Sequence, residues 1–327
     1  MSALGLGVGR EFDRLRAIFA RLDGATLPGD SLGDDCALIR LGGTTLAASI
    51  DSSLEGLHFR TDWLDFAEIG FRAAGAALSD LAADGADPLG LLVSLGVPNH
   101  PGADQKGKSD PAAQIMAGVA QMAQSVNAAV LGGDLVLADR YLIDVCVLGI
   151  AQHPVRRAGA REGDGLWVTG YLGGAGLALA MLRAGKRPPT ALRNRYACPE
   201  PRLRSGRWLA AHGATAMIDI SDGLAADAAH LAAASEIGLE INLEQLPRWE
   251  GVDALAAAAS GEEFELLLTL PPHFGEANVS TFRAETGVQL TRIGVCLREA
   301  GGRRGGVRLL QGNTQVSVPP GYDHFAQ

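Results

Sequence analysis

The chain has 327 residues, of which 47% are hydrophobic and 20% are charged. This length and composition exclude an intrinsically disordered protein and allow two domains with large buried cores. The formal net charge of −9 argues against a nucleic-acid partner, and no apolar run is long enough to span a bilayer.

The cysteines and the first residues of the chain predict a cytoplasmic protein. The four cysteines stand singly, without a C-x-x-C pair, so neither a zinc site nor a disulfide framework is indicated. The start of the sequence lacks a basic segment and a cleavage site, so we expect no secretory signal peptide. Free thiols in a reducing compartment are the simpler interpretation.

The first half of the chain is predicted to be an α/β domain. Apolar residues at helical spacing predict a helix over 10–22, and a second helix begins near residue 66 and ends near Gly85. The remaining apolar runs predict strands. These runs lie at 44–51, at 89–97 and, as two strands joined by a turn, within 128–151.

A polar break at 153–165 separates this half from a second set of predicted elements. We place the boundary between an N-terminal ATP- and metal-binding α/β domain, 1–150, and a C-terminal α+β domain, 151–327. After the break, a strand, the glycine turn Thr169–Gly176 and a helix follow one another. That turn could bind phosphate through backbone N–H groups, but close packing of strand and helix explains it equally well. Later elements are predicted at 207–235 (helix, strand, helix), 262–271 (strand) and 287–297 (strand).

Residues Gly102–Ser109 match the phosphate-binding pattern G-x-x-x-x-G-K-S. The preceding strand ends several residues before Gly102, and Pro111 disfavours helical angles at Asp110, where a P-loop helix would continue. We therefore expect an exposed connection, followed by a new helix with Asp110 as its N-cap and Pro111 in its first turn. The alternative is a regulatory P-loop NTPase that binds nucleotide at this segment.

A set of aspartates shares one local pattern, because each follows or ends an apolar run close to Gly or Ser. Each one alone could equally cap a turn or stay on the surface. Together, however, they would repel one another unless cations neutralised them, and clustered carboxylates suit Mg²⁺. Mg²⁺ in turn suits phosphoryl transfer without a covalent nucleophile. These aspartates are Asp34, Asp35, Asp51, Asp80, Asp134, Asp219 and Asp222.

Several motifs occur together along the chain, in the order GDDCALI, SID with GLHF, LSDLAADGADP, GGD, RRAGAREGD, IDISDGLAAD, SGEEFELL and GYDHF. SDLAADGADP and the terminal GYDHF are the most specific of these motifs, whereas GGD or SDG alone would mean little. From about Glu11 to Phe325, this series of motifs resembles the thiamine-monophosphate kinase family. The family's fold is similar to that of aminoimidazole ribonucleotide synthetase.

The resemblance implies a fold, an activity and partners. It implies a two-domain α/β plus α+β architecture whose N-terminal sheet pairs with that of a second subunit, forming a barrel across a homodimer. It also implies ATP-dependent phosphorylation of thiamine monophosphate to thiamine diphosphate by direct in-line transfer. ATP and several Mg²⁺ ions would lie in the cleft between the domains.

The resemblance also implies roles for individual residues. The expected metal ligands are Asp35, Ser49, Ile50, Asp51, Asp80, Asp134, Asp219 and Asp222. The expected ATP contacts are Gly133, Asp134, Arg157 and Ser221, and the expected substrate contacts are His58, Glu262 and Tyr322. The aspartates expected to carry the catalysis are Asp51, Asp80, Asp134 and Asp219.

One position departs from the family pattern, which has S-T-D where this chain has Ser49-Ile50-Asp51. Ile50 has no hydroxyl and could contribute only its backbone carbonyl, yet we expect the site to form because the carboxylates supply most of the attraction. Two other functions remain open. One is a related ATP-dependent synthetase acting on another small substrate, and the other is a non-catalytic protein that binds thiamine phosphate or metal.

Overall fold

The computed structural model describes residues 9–22, 32–99, 110–299, 302, 305–322 and 324–325, and the structural statements below refer to these residues. The helices are α1 Arg10–Phe19, α2 Phe66–Ala83, α3 Pro111–Ser125, α4 Gly174–Arg183, α5 Thr190–Ala197, α6 Leu203–Ala211, α7 Leu224–Ser235, α8 Ala254–Ala259 and α9 Glu276–Thr286. The strands are β1 Ala37–Leu41, β2 Thr44–Leu54, β3 Asp87–Val97, β4 Ala129–Leu137, β5 Leu142–Ala151, β6 Gly165–Thr169, β7 Ala216–Asp219, β8 Gly238–Asn242, β9 Leu266–Leu270, β10 Leu290–Leu297, β11 Val307–Gln311 and β12 Thr314–Val316.

The first five strands form one sheet with the order β1-β2-β5-β3-β4. Its pairs are antiparallel except for β3 and β4, which are parallel. Helices α2 and α3 pack against one another and against this sheet. Helix α2 begins at a capping box, in which the Glu68 N–H donates to Asp65 and the Asp65 N–H donates to Glu68.

The remaining strands form a seven-stranded sheet with the order β12-β11-β8-β10-β6-β9-β7. Its pairs are antiparallel except for β8 and β11. Every residue of β6, β7 and β9 is buried, which explains why these strands read as continuous apolar runs rather than as alternating patterns. The chain is therefore a two-domain protein of mixed α and β structure.

The sequence predicted the helices of the first half and strands β2 to β5, but it predicted neither β1 nor the order of the strands in the sheet. Strands β4 and β5 are joined by a short turn and are nevertheless not neighbours, because β3 lies between them. As expected, α3 begins at Pro111, and the Asp110 carboxylate accepts from the Ala112 N–H at 2.8 Å. The P-loop-like segment Gly102–Ser109 lies outside the described residues.

The described part of a single chain forms two open sheets and no closed barrel. No helix in these ranges combines the length and the apolar character needed to cross a membrane.

Candidate active site

Three carboxylates that are far apart in sequence meet between the two domains. Asp35 precedes β1, Asp80 lies in the last turn of α2, and Asp219 ends β7. One oxygen from each lies within 4.8 Å of the others. Asp35 and Asp219 are 8% and 4% exposed, so their charges are largely removed from water. Asp35, Asp80 and Asp219, three of the predicted metal ligands, therefore lie together in one cluster.

The electrostatics of this cluster favour a bound cation. Burial, followed by the neighbouring Asp35, raises the pKa of Asp219 to about 7. Burial and then Asp219 raise the pKa of Asp80 well above its ordinary value, although the Ser49 hydroxyl donates to Asp80 at 2.6 Å. Closely spaced carboxylate oxygens with raised pKa values fit Mg²⁺, which would remove the repulsion between them.

Arg157 is held by the acidic residues that precede β1. Its Nη2 and Nε donate to the two oxygens of Asp35 at 2.7 and 3.1 Å, and its Nη1 donates to the Gly33 carbonyl at 3.1 Å. Its backbone N–H donates to Asp34 at 2.9 Å. Arg157, the predicted ATP contact, is therefore held by Asp35, a predicted metal ligand. Its positively charged guanidinium lies at the edge of the carboxylate cluster.

The loop between β7 and α7 contains Ser221 and Asp222, and it is shaped by a carboxylate that the sequence analysis missed. Asp227 is 1% exposed and accepts from the N–H groups of Ser221, Asp222 and Gly223 at 3.1, 3.2 and 3.1 Å. The spacing S-D-G-x-x-x-D was visible, but it reads as an ordinary first turn of a helix. Asp222 lies close to Asp227 and His230 rather than in the Asp35 cluster.

Two of the predicted substrate contacts, His58 and Tyr322, lie on either side of His324. The ring of His324 is 5.2 Å from that of His58 and 4.9 Å from that of Tyr322. The backbone N–H of Tyr322 donates to the Asp222 carbonyl at 3.2 Å, which connects the terminal segment to the loop between β7 and α7. His324 belongs to the GYDHF motif, so the signal for it was present in the sequence and was not used.

His58 is held in one neutral tautomer. Its Nδ1 accepts from the Leu54 N–H at 3.0 Å, so the proton of the neutral ring is on Nε2. Burial, followed by His324 and Arg72, lowers the pKa of His58 to about 4. The ring is therefore uncharged at neutral pH and can donate one hydrogen bond from Nε2.

Glu262, the third predicted substrate contact, lies in a strained segment next to the loop between β7 and α7. Its φ is 63°, and that of Phe264 is 50°, values that L-residues seldom adopt. The Glu262 N–H donates to the Ser221 carbonyl at 2.7 Å, and its carboxylate forms an ion pair with Arg72. Both its backbone and its side chain are therefore fixed.

Side chains alternate between the two faces of β2, so the residues of its S-I-D motif do not all lie on one face. Ser49 bonds Asp80, and Asp51 lies on the same face because it is two residues further on. Ile50 points to the opposite face, where it is 68% exposed. A side-chain hydroxyl at position 50 would thus point away from the cluster, in agreement with the expectation that the site forms without it.

Asp134 and Gly133 are not brought to the cluster within one chain. Asp134 on β4 pairs with Ser94, which pairs with Asp144, which pairs with Ser52. Paired residues share a face, so Asp134 lies on the face opposite to Asp51, and three strand spacings place it roughly 14 Å from β2. Gly133 is its neighbour on the same exposed edge strand.

The glycine turn before α4 donates backbone hydrogen bonds to a carboxylate of the protein itself. The N–H groups of Gly173 and Ala175 donate to Glu263 at 2.8 and 3.1 Å. Glu263 is 2% exposed and also ion-pairs with Arg195. The N-terminal donors of α4 are therefore taken, so of the two open interpretations the close packing of strand and helix is the one supported.

Comparison with known proteins agrees with this architecture. Residues 33–151 match the N-terminal domain, and residues 161–305 the C-terminal domain, of AIR synthase related protein. The thiamine-monophosphate kinase of Salmonella typhimurium is 31% identical over 98% of this chain and 97% of its own length. That of Rhodopirellula baltica is 33% identical over 83% of this chain and 84% of its own length.

A solved structure, AaThiL complexed with AMPPCP and TMP, has the same fold throughout. It covers 99% of both chains with a TM-score of 0.80 and 27% sequence identity. The chain therefore belongs to the thiamine-monophosphate kinase family of AIR synthase related proteins.

Proposed function

We propose that the protein phosphorylates thiamine monophosphate to thiamine diphosphate with ATP as the donor and Mg²⁺ as the cofactor. The observation that carries the proposal is the convergence of Asp35, Asp80 and Asp219, two of which have raised pKa values. Family relatives named thiamine-monophosphate kinase, and the AaThiL complex with an ATP analogue and TMP, support the choice of substrates.

The acidic residues would hold the cations. The proposed ligands of several Mg²⁺ ions are the side chains of Asp35, Ser49, Asp51, Asp80, Asp134, Asp219 and Asp222 and the backbone carbonyl of Ile50. Because Asp134 and Asp222 lie outside the Asp35 cluster, they would hold ions apart from it. When bound, Mg²⁺ would neutralise the phosphate oxygens of both substrates. Because two anionic substrates must meet, the main task of these side chains is to position charge, and no covalent phosphoenzyme is required.

Polar groups on both sides of the cluster would orient the two substrates. Gly133, Asp134, Arg157 and Ser221 are the proposed ATP contacts, and Asp51, Asp80, Asp134 and Asp219 the proposed catalytic aspartates. On the acceptor side, neutral His58 would donate its Nε2–H to the acceptor phosphate. Glu262 would accept from the aminopyrimidine, and the Tyr322 ring, which is 45% exposed, would stack on the substrate. An acceptor phosphate oxygen would then attack the γ-phosphorus in line and ADP would leave.

The proposed assembly is a homodimer whose N-terminal sheets pair into a barrel. Every residue of the edge strand β4 is exposed, including Leu131, Leu135 and Leu137 at 54%, 63% and 75%. An apolar edge strand left in water invites pairing with another strand. Gly133 and Asp134 lie on this strand, so a partner subunit would surround both proposed nucleotide contacts.

Two further parts of the proposal concern organisation and location. We retain the division into an ATP- and metal-binding domain, 1–150, and a second domain, 151–327. A cytoplasmic location is supported by the four cysteines, all of which are free.

A coupled assay of ADP release tests the proposed function. We expect ADP formation to require both thiamine monophosphate and Mg²⁺, and Asp219→Asn to reduce the rate by roughly 100-fold or more, since a charged ligand is lost. An exposed aspartate gives the matched control, Asp139→Asn, which should keep the wild-type rate. ADP release that is indifferent to thiamine monophosphate would refute the proposed substrate.

A further inference from the structure

A buried arginine next to the cleft has no role in the proposed mechanism. Arg72 lies on α2, eight residues before Asp80, and is 5% exposed. Burying a guanidinium is costly unless all of its surroundings compensate for the lost water. Its partners therefore indicate what the position requires.

The guanidinium of Arg72 is fixed from three directions. Its Nη1 donates to the carbonyl of Tyr196, and its centre lies 4.0 Å from the centroid of the Tyr196 ring. Its Nη2 forms an ion pair with the Glu262 carboxylate, whose side chain is 27% exposed. The arginine is thus the buried member of an ion pair whose other member is partly exposed to solvent.

Tyr196 extends this arrangement to a second proposed substrate contact. The Tyr196 hydroxyl donates to the carbonyl of His58 at 2.9 Å, and the tyrosine itself is 1% exposed. Arg72 and His58 belong to the N-terminal domain, whereas Tyr196 and Glu262 belong to the C-terminal domain. The four residues consequently form one cross-domain connection, with Arg72 at its centre.

We propose that Arg72 is the positioning residue for the phosphate acceptor, fixing the Glu262 carboxylate directly and the His58 segment through Tyr196. The inference rests on the proposed substrate roles of Glu262 and His58. A glutamate side chain loses considerable rotamer freedom when it is held in one orientation. The buried ion pair already holds Glu262 in one orientation before the substrate arrives. The loss of rotamer freedom therefore does not reduce the free energy of acceptor binding.

Steady-state kinetics of Arg72→Met tests the proposal. We expect the KM for thiamine monophosphate to rise roughly tenfold or more while the KM for ATP stays within about twofold, because the nucleotide contacts lie elsewhere. Arg72→Lys keeps the charge and should recover part of the loss. Arg308→Met removes the ion pair with Glu240 on the outer part of the second sheet and should change neither constant.

A double-mutant cycle distinguishes positioning from direct contact. If Arg72 acts through Glu262, the KM for the acceptor in the variant carrying both Arg72→Met and Glu262→Gln should equal that of Glu262→Gln alone within about twofold. If the combined variant is clearly worse while Tyr196→Phe leaves the acceptor KM unchanged, Arg72 contacts the acceptor itself and the positioning role is wrong. Equal increases in both KM values would also overturn it, because they would indicate a general distortion of the cleft.

Tyr196→Phe keeps the proposal testable if Arg72→Met does not fold. This variant retains the ring beneath Arg72 and removes only the hydroxyl that donates to His58, so a several-fold rise in the acceptor KM is expected. An unchanged value would refute the Tyr196 connection. Absence of any acceptor-dependent ADP release in the wild-type protein would instead refute the proposed function.

Discussion

Buried carboxylates in this protein fall into two groups according to their partners. Glu265 is fully buried, but Arg202 donates to both of its oxygens at 2.7 Å, and although burial opposes it, the arginine lowers the pKa of this carboxyl. Among the described residues, neither Asp80 nor Asp219 forms an ion pair with an Arg or Lys side chain, and their pKa values are raised. Within the cluster, Asp35 is paired with Arg157, whereas compensation of Asp80 and Asp219 is left to a bound cation.

The raised pKa of Asp219 predicts a specific pH dependence for the metal-free protein. Its ordinary pKa is 3.8 and its pKa in the fold is about 7, so the folded state favours the protonated acid. The stabilisation is complete below the ordinary value and is lost as the pH rises through the folded value. Asn imitates the protonated acid, so Asp219→Asn should become progressively more stable than the wild type between about pH 4 and pH 7.

Thermal unfolding in EDTA, measured for both proteins at each pH, checks this prediction. The difference in Tm removes the contributions of His58 and His230, whose lowered pKa values act in the opposite direction. Adding Mg²⁺ at pH 8 should stabilise the wild type more than the variant. A Tm difference that does not change with pH would contradict the assigned pKa.

At the scale of residues, the sequence identified the groups with a distinctive local setting. Asp35 and Asp219 stand close to Gly or Ser at the ends of strands, a setting that indicates a side chain facing a cleft, whereas Asp80 lies within α2 and was identified through the motif SDLAADGADP. Arg72 and Asp227 lie inside helical patterns, where a charged residue is normally solvent-exposed. Their importance comes from partners that are distant in the chain or on the backbone, and no local pattern encodes those partners.

At the scale of elements, the contact between α2 and α3 depends on two glycines. A Cβ at Gly118 of α3 would lie 1.8 Å from the Ala67 carbonyl oxygen, and one at Gly70 of α2 would lie 1.9 Å from that of Ile115. The two helix backbones therefore approach more closely than any side chain would allow. This approach sets how deeply α2, with Arg72 and Asp80, lies between the domains.

Gly118→Ala should therefore destabilise the fold. Overpacking of a core contact typically costs about 1–3 kcal/mol, and here the obstacle is backbone rather than a flexible side chain. Gly43→Ala is the matched control, because a Cβ at that turn meets nothing within 4 Å. Denaturant unfolding should show a lower midpoint for Gly118→Ala alone, and an unchanged midpoint would mean that the helices can separate at no cost.

Element types were predictable here because periodicity is a local property, whereas sheet order was not. Nothing in the turn between β4 and β5 shows that β3 is inserted between them. The same limitation affects the site, since the aspartates were expected together and the strand order instead puts Asp134 on another face from Asp51. Only the pairing of strands decides which side chains share a face.

At the scale of the whole molecule, strand β4 is an edge strand with exposed apolar side chains. Its leucines Leu131, Leu135 and Leu137 are between 54% and 75% exposed, and it lies at the edge of the five-stranded sheet. On the opposite face of the sheet, which carries Asp134 and Val136 of β4, strand β2 presents the exposed Ile50. The proposed homodimer would cover both features.

Leu135→Glu tests this assembly. A buried, unpaired charge in the proposed interface should shift the protein from dimer to monomer, as measured by light scattering after size exclusion. Leu255→Glu, at a residue that is 37% exposed on α8, is the control and should leave the mass unchanged. A wild-type protein that is monomeric at micromolar concentration would contradict the homodimer.

Helix α2 carries both the proposed acceptor-positioning residue, Arg72, and one of the proposed metal ligands, Asp80. Arg72 and Asp80 are separated by eight residues, or about 12 Å along the axis and about 80° around it, so the helix fixes the orientation of one side chain relative to the other. Deleting or inserting a single residue between them would rotate one relative to the other by about 100°. Relatives that keep both roles should therefore conserve the number of residues between Arg72 and Asp80, even where the apolar residues in this interval differ. The loops between elements can vary in length.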